Sequence, residues 1–159
     1  MDDKQAILKL LLPKAVLKAM TTEAERAVPD GMIHSGLISL RQFPFKVGRE
    51  SRGEIIEGKF HRTERPRFGD REPHNNLYLI DAGELMHISR EHLLIESTEE
   101  GYMLVDLGSA CGTTVGGVRI GGGDAGGSVP LKDGDTIGIG AEATPYVYTF
   151  ITDLISDSR

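Results

Sequence analysis

Short apolar runs, separated by glycine, aspartate and proline, fill the chain from Gly36 to residue 152. Runs of this length and spacing are typical of an all-β sandwich, in which tight turns join short strands. The pattern predicts two packed sheets with about eleven short strands in total. The predicted strands are 37–41, 45–48, 77–80, 86–88, 92–96, 102–106, 113–115, 118–120, 129–131, 136–139 and 146–152.

The first 31 residues differ in composition from this region. Residues 2–27 are rich in alanine, leucine, lysine and glutamate and contain no glycine, which favours helix. Pro13 would interrupt one continuous helix but suits the first position of a second, so two short helices meeting near Leu12 are predicted. We therefore expect a helical extension and linker at 1–31, a sandwich domain at 36–152 and a tail at 153–159.

Two segments interrupt the rhythm of the predicted strands. Residues 50–76 form a polar stretch that is longer than most connections in a compact domain, and we interpret it as an insertion loop. The glycine-rich run 121–127 is expected to be a flexible hairpin tip. Between positions 59 and 71, the insertion loop has five basic residues but only two acidic ones, Glu64 and Asp70. The basic residues are Lys59, Arg62, Arg65, Arg67 and Arg71.

Charge and cysteine usage limit the class of protein. The formal charge of −6 and the pI of about 5.4 argue against a protein that binds nucleic acid over its surface. Cys111 is the single cysteine and has no partner for an internal disulfide. The apolar run 7–20 is interrupted by Lys9, Pro13, Lys14 and Lys18, so it predicts neither a membrane span nor a secretion signal. A cytoplasmic location is the expectation.

Four motifs follow one another in a distinctive order. Gly48-Arg49 ends a predicted strand, Ser-Arg-Glu-His occupies 89–92, Asp-Leu-Gly-Ser-Ala-Cys-Gly-Thr occupies 106–113, and Leu-Lys-Asp-Gly-Asp-Thr-Ile-Gly-Ile-Gly occupies 131–140. In this order and setting they resemble the forkhead-associated (FHA) family, over roughly residues 37–150. The resemblance implies an FHA-like sandwich of the SMAD/FHA superfold. It also implies a signalling adaptor that binds phosphothreonine in a partner protein, with no catalytic activity and no cofactor.

The resemblance implies roles for particular residues. Arg49 and Ser89 would contact the phosphate, and Arg90 would add a further contact. Cys111 and Gly112 would lie where the peptide binds, while Gly48 and His92 would support the site. The chemistry is coherent, because a phosphothreonine carries nearly two negative charges and three acceptor oxygens, which require guanidinium and hydroxyl donors.

Three positions depart from the family's pattern. Ala110 and Cys111 stand where threonine and a peptide-holding asparagine are common, and Gly116 stands where a second asparagine is usual. A thiol is a weak donor and acceptor, whereas a carboxamide offers two donors and a good acceptor. The phosphate subsite is thus retained in the sequence, and the subsite that holds the peptide backbone is altered.

Other functions remain open at the level of sequence. The same fold could bind a partner without phosphate, either alone or as a subunit of a larger assembly. An enzyme with Cys111 as nucleophile has little support, since the next arginine is Arg119 and no phosphate-binding loop motif occurs. His34, His61, His74 and His87 lack zinc-ligand spacing, so no metal is expected. Residues 1–27 are expected to pack on their own domain or on a protein partner, in preference to an anionic membrane.

Overall fold

A computed structural model describes residues 2–50, 53–62, 74–83 and 85–154, with the backbone alone for 53–56 and 59–62. These ranges contain two helices, α1 (Asp3–Leu11) and α2 (Thr22–Arg26), and thirteen strands. The strands are β1 (Ala15–Ala19), β2 (Leu37–Leu40), β3 (Phe45–Arg49), β4 (Gly53–Ile56), β5 (Lys59–Arg62), β6 (Leu77–Leu79), β7 (Leu93–Thr98), β8 (Gly101–Asp106), β9 (Thr113–Val115), β10 (Val118–Ile120), β11 (Gly127–Leu131), β12 (Thr136–Ile139) and β13 (Val147–Ile151).

The strands form two sheets that enclose one core, and a small hairpin. One sheet has six strands in the order β10-β9-β12-β13-β1-β2, and the other has five in the order β11-β8-β7-β3-β6. Strands β4 and β5 pair only with each other among the described residues. All pairs are antiparallel except β3 with β6. The predicted two-sheet, all-β fold with an N-terminal helix is confirmed.

The N-terminal region departs from the predicted pair of helices. Residues after Pro13 form strand β1, which lies between β13 and β2, with Leu17 opposite both Phe150 and Ile38. Helix propensity favours this alanine-, leucine- and lysine-rich segment only weakly, and pairing on both sides together with burial of Leu17 outweighs it. The prediction of a second helix starting at Pro13 is wrong, and a boundary at residue 36 would separate β1 from its own sheet.

Helix α1 does form, and its ends follow local rules. The side chain of Asp2 caps it by accepting a hydrogen bond from Lys4 N at 2.6 Å. The helix ends because Leu12 precedes Pro13 and takes an extended conformation. No residue of α1 is buried.

The core fills the space between the two sheets. Inward-facing residues alternate along the strands, as in Phe45 and Val47 of β3 and Tyr148 and Phe150 of β13. The remaining fully enclosed side chains come from both sheets and include Ile38, Leu40, Leu77, Leu79, Leu93, Ile95, Leu104 and Ile137. This core fixes the ends of the strands, from which the loops of the site arise.

Three predicted segments take other forms. Residues 86–88 are not a strand in the structure. The insertion loop contains the β4–β5 hairpin, and the side chains of its predicted cationic cluster lie outside the description. The run 121–127 carries the chain from β10 in one sheet to β11 in the other, so it is a crossover and not a hairpin tip.

The strand register defines two ends of the sandwich. At the first, which we call the loop end, β3 finishes at Arg49, β8 finishes at Asp106 and β12 finishes at Ile139. At the second, which we call the α1 end, Ala15 pairs with Leu40 and Val16 with Ile151. All the motifs that carry the family resemblance, except 131–136, converge on the loop end.

Candidate functional site

Three segments meet at the loop end, and Ser89 lies between them. The backbone N–H of Arg49, at the end of β3, donates to the carbonyl oxygen of Ser89 at 3.0 Å. The N–H of Ala110, in the loop between β8 and β9, donates to Ser89 Oγ at 3.0 Å. The structure therefore brings together Arg49, Ser89 and the 107–112 loop, which are far apart in the sequence.

His92 joins two of these segments from inside. The backbone N–H of Ser89 donates to its Nδ1 at 3.0 Å, and its Nε2 lies 2.9 Å from the carbonyl oxygen of Gly112. Since Nδ1 accepts, the ring proton belongs on Nε2, which donates. Burial lowers the pKa of His92 below its usual 6.5, and the Gly112 bond and the charge of Asp106 only partly oppose this effect. His92 is fully buried and neutral, so it braces the loops and does not face a ligand.

Asp106 organises the loop that follows β8. Its Oδ1 accepts from the N–H groups of Gly108 and Ser109, and its Oδ2 accepts from the hydroxyls of Ser109 and Thr113, each at 2.7 Å. Ser109 Oγ in turn accepts from Gly112 N at 2.9 Å. Burial raises the pKa of Asp106, but the hydrogen bonds from Ser109 and Thr113 outweigh burial and leave the pKa below its usual value. The loop is thus held by a buried, ionised carboxylate.

Gly48 permits a close approach of the backbone beneath the site. A Cβ at this position would lie 2.0 Å from the carbonyl oxygen of Arg90 and 2.6 Å from Asn75 Nδ2. Asn75 Nδ2 itself donates to that carbonyl at 2.8 Å. Any side chain at position 48 would therefore displace the turn that carries Ser89 and Arg90.

The two predicted arginines occupy different depths. Arg49 is only 4% exposed, and its Nε donates to the carbonyl oxygen of Ile88 at 3.0 Å, immediately before Ser89. A longer contact of 3.4 Å joins its Nη1 to the carbonyl oxygen of Glu50. Arg90 is partly exposed. Arg49 thus lies under the Ser89 turn, whereas Arg90 lies at its surface.

Cys111 and Gly112 complete the predicted set. Cys111 is partly exposed, and its Sγ lies 3.4 Å from the carbonyl oxygen of Met86, a weak hydrogen bond. Gly112 is buried with a φ of +86°, a conformation that favours glycine. Ala110 is exposed between Ser89 and Cys111. Gly116, by contrast, lies in the turn between β9 and β10, beyond this loop.

Comparison with known proteins bears on this arrangement. Residues 67–140 match the family model of the FHA domain, a range that includes Ser89, His92 and the 106–113 segment. The resemblance to the forkhead-associated family is confirmed.

Two solved structures are similar to this chain. One is the FHA domain of an Arabidopsis thaliana hypothetical protein, at 23% identity and a TM-score of 0.48, covering 93% of this chain and 91% of that one. The other is Mycobacterium tuberculosis EmbR in complex with a low affinity phosphopeptide, at 20% identity and a TM-score of 0.49. That match covers 94% of this chain but only 29% of the EmbR chain. No curated protein matches the sequence.

Arg119 was not assigned to the site from the sequence. It lies on β10, opposite Thr114, and its Nη2 donates to the carbonyl oxygen of Cys111 at 2.7 Å. A signal for it was present, because Gly116-Gly117 between two short apolar runs is typical of a hairpin. That hairpin places residues 118–120 beside 113–115 and hence near the loop before β9.

Asp81 supports the Ser89 turn from the other side. Its Oδ2 accepts from the N–H groups of His87 and Ile88 at 2.7 and 3.0 Å. Its Oδ1 accepts from the Tyr146 hydroxyl at 2.9 Å. Burial and the neighbouring Asp81 raise the pKa of Tyr146 to about 12, so the hydroxyl stays protonated and donates. The N–H groups of residues 87 and 88 thus donate to a side chain and not to a neighbouring strand, and residues 86–88 do not form the predicted strand.

The described part of the chain has neither a candidate metal site nor a candidate membrane-spanning helix. Its His, Cys, Asp and Glu side chains form no group of three or more that could hold a metal ion. None of its helices is long and apolar enough to cross a membrane.

Proposed function

We propose that this chain is a phosphopeptide-binding module that binds a phosphothreonine-containing segment of a partner protein at the loop end, and that it acts as a cytoplasmic signalling adaptor without catalysis. The observation that carries the proposal is the direct linkage of Arg49, Ser89 and Ala110 by hydrogen bonds at one end of the sandwich. Rigid scaffolds that present donors from several loops are the usual means of recognising a phosphorylated peptide.

The roles of the three polar residues follow from their positions. Ser89 Oγ accepts from Ala110 N, so its own hydroxyl hydrogen remains to be donated to a phosphate oxygen. Arg49 places a permanent positive charge beneath this hydroxyl, where limited solvent strengthens its effect on an anion. Arg90 is partly exposed on the same turn and would contact the phosphate from the surface.

The peptide backbone would be held differently from the family's usual pattern. Cys111 Sγ contacts Met86 O, and Cys111 O already accepts from Arg119, so neither atom replaces the carboxamide of asparagine. Losing one such hydrogen bond costs about 1 kcal/mol, or several-fold in affinity. We therefore propose that the retained binding energy comes chiefly from the phosphate and from side chains of the partner.

The test is a phosphothreonine-oriented peptide array read with four forms of the full chain. The wild type should retain phosphorylated peptides over unphosphorylated ones. Arg49→Ala and Ser89→Ala should weaken that binding by about tenfold or more, since each removes a contact to a charged group. The control is Arg41→Ala, because Arg41 is exposed at the α1 end.

Melting temperatures show which variants fold. If Arg49→Ala does not fold, because Arg49 is buried, the Ser89→Ala variant still tests the proposal. Unchanged binding by a folded Ser89→Ala variant would contradict the proposal. Binding that survives phosphatase treatment of the partner would instead favour the second candidate function, a phosphate-independent interaction module with the same loops.

We also propose that α1 binds an apolar groove on a protein partner. Its exposed apolar side chains carry this idea, with Leu10 82% exposed. They are Ile7, Leu8, Leu10 and Leu11. Since β1 and α2 are parts of the domain, the region expected for helix-mediated binding narrows from residues 1–27 to α1.

A photoreactive residue at position 7 should crosslink a protein in cells, and the double substitution Leu10→Asp and Leu11→Asp should abolish the crosslink. Sedimentation of the full chain with anionic liposomes would contradict this proposal in favour of a membrane.

A further inference from the structure

The guanidinium of Arg119 occupies a defined place beside the proposed phosphate site. Its Nη2 would lie 3.0 Å from a Cβ at Gly112 and 2.7 Å from a Cβ at Gly122. Both glycines have a positive φ, +86° and +93°. Two glycines thus leave the space that the guanidinium fills, and side chains at either position would push it away.

The charge of Arg119 is not matched by a carboxylate in the described part of the chain. Its one protein hydrogen bond there is the Nη2 contact with Cys111 O, and it makes no ion pair with a described residue. A guanidinium has five N–H donors in a planar fork, so most of its donors are directed to solvent. Arg119 is therefore an exposed positive charge in a chain whose formal net charge is −6.

Two hydrogen bonds and the short stretch of backbone between them connect Ser89 to Arg119. Ala110 N binds Ser89 Oγ, and the carbonyl of the next residue, Cys111, binds Arg119 Nη2. Standard backbone dimensions limit the separation of Ser89 Oγ and Arg119 Nη2 to about 12 Å. An extended peptide advances about 3.4 Å per residue, so this separation corresponds to about three residues of a bound peptide.

We propose that Arg119 is a specificity-determining residue that binds an anionic group, a carboxylate or a second phosphate, within three residues of the phosphothreonine. This inference rests on the proposed function. Arg119 supplies a fixed, bidentate donor where the family's peptide-holding asparagine is absent, so the partner is recognised by a flanking acidic side chain in addition to the phosphate.

The experiment measures fluorescence anisotropy of labelled phosphothreonine peptide libraries with the full chain. A neutral library has no acidic residue at the flanking positions. Six further libraries fix Asp at one of the three positions on either side, and a matched set fixes phosphoserine there. The proteins are wild type, Arg119→Gln, Arg119→Lys, Ser89→Ala and the control Arg41→Gln at the α1 end.

The wild type and the control should prefer at least one anionic position by about fivefold, which is the upper end for an exposed ion pair. Arg119→Gln should reduce this preference to less than about twofold while it binds the neutral library within about twofold of wild type. Arg119→Lys should retain part of the preference because it keeps the charge. Selection of Asp indicates an acidic partner, and selection of phosphoserine alone indicates a doubly phosphorylated one.

The opposite results separate the two proposals. A wild type with no anionic preference, a preference that survives in Arg119→Gln, or an equal loss for all libraries in Arg119→Gln would overturn the role of Arg119 alone. In the last case Arg119 merely holds the loop. If the wild type does not distinguish the phosphorylated neutral library from its unphosphorylated form, the proposed function fails and this inference fails with it.

Discussion

The imidazole of His92 donates its Nε2–H to the carbonyl oxygen of Gly112 across 2.9 Å and thereby ties the β7 side of the site to the loop before β9. Its other nitrogen accepts from Ser89 N, so one buried ring fixes both proposed binding segments. Because each nitrogen has a single role, the arrangement requires the neutral imidazole with its proton on Nε2.

Replacement of His92 by glutamine should destabilise the domain and remove part of its pH dependence. Loss of one or both buried hydrogen bonds should lower the free energy of unfolding by about 2–3 kcal/mol at pH 7.5. Chemical denaturation of wild type and variant measures this difference.

The pH dependence has a definite sign. The folded-state pKa of His92 is below 6.5, so the unfolded state takes up a proton first as the pH falls. The wild type should therefore keep this stability above pH 6.5 and lose it as the pH falls from 6.5 toward the folded-state pKa. The His92→Gln variant should not show this loss of stability, because glutamine does not titrate. Parallel pH profiles for the two proteins would show that His92 is not buried in its neutral form.

Ser109→Ala should weaken the loop that Asp106 organises. The substitution removes the hydroxyl that donates to Asp106 Oδ2 and leaves Gly112 N without its acceptor. We expect a loss of about 2–3 kcal/mol in the free energy of unfolding. Ser128→Ala, at an exposed position of β11, is the matched control and should change the free energy by less than about 0.5 kcal/mol.

The same variant changes acid sensitivity. The folded-state pKa of Asp106 is depressed, so its stability contribution is present above the usual value of 3.8 and is lost as the pH falls through the lower folded-state pKa. Without the Ser109 hydroxyl, the folded-state pKa of Asp106 should rise, so ionised Asp106 contributes less to stability. A Ser109→Ala protein with wild-type stability from pH 7 to pH 3 would contradict this account.

Gly48→Ala should disrupt the turn of Ser89 and Arg90. The added methyl would lie 2.0 Å from the backbone oxygen of Arg90, so the backbone itself must move. We expect a loss of about 3 kcal/mol or more in the free energy of unfolding. Gly127→Ala is the control, since its nearest contact would be 3.4 Å and its φ is not positive. Equal melting temperatures for the two variants would show that the turn does not need the close approach.

Leu17→Ala tests whether β1 belongs to the sandwich. Leu17 is 3% exposed between β2 and β13, so truncation should cost about 2–4 kcal/mol. Leu10→Ala, in exposed α1, should cost less than about 0.5 kcal/mol. Thermal unfolding of both variants measures this difference. A similar loss of stability in the two variants would contradict the assignment of β1 to the core and of α1 to the exposed surface.

The sequence predicted the sandwich well because alternation and turn residues are local signals. Strands at 113–115, 118–120 and 136–139 have the predicted bounds. Strand β1 was missed because its residues are good helix formers, and because its partner β13 lies about 130 residues away in the chain. Periodicity alone does not reveal such a long-range pairing.

The candidate site was predicted less completely than the fold. The resemblance named Arg49, Ser89, Arg90, Cys111 and Gly112, and the structure groups their segments at one end. The resemblance did not indicate that Arg49 lies under the turn, since this depends on the position of the Ile88 carbonyl oxygen, to which Arg49 Nε donates. Nor did it assign Arg119, whose place depends on the β9–β10 hairpin and on the space left by Gly112 and Gly122.

Amide chemical-shift mapping tests the central claim most directly. A phosphothreonine peptide selected from the array is added to isotope-labelled full chain, with its unphosphorylated form as control. We expect only the phosphorylated peptide to shift the amides of Ser89, Ala110 and Cys111, while those of α1 and Arg41 stay unchanged. Shifts confined to the α1 end, or equal shifts with both peptides, would contradict phosphate recognition at the loop end.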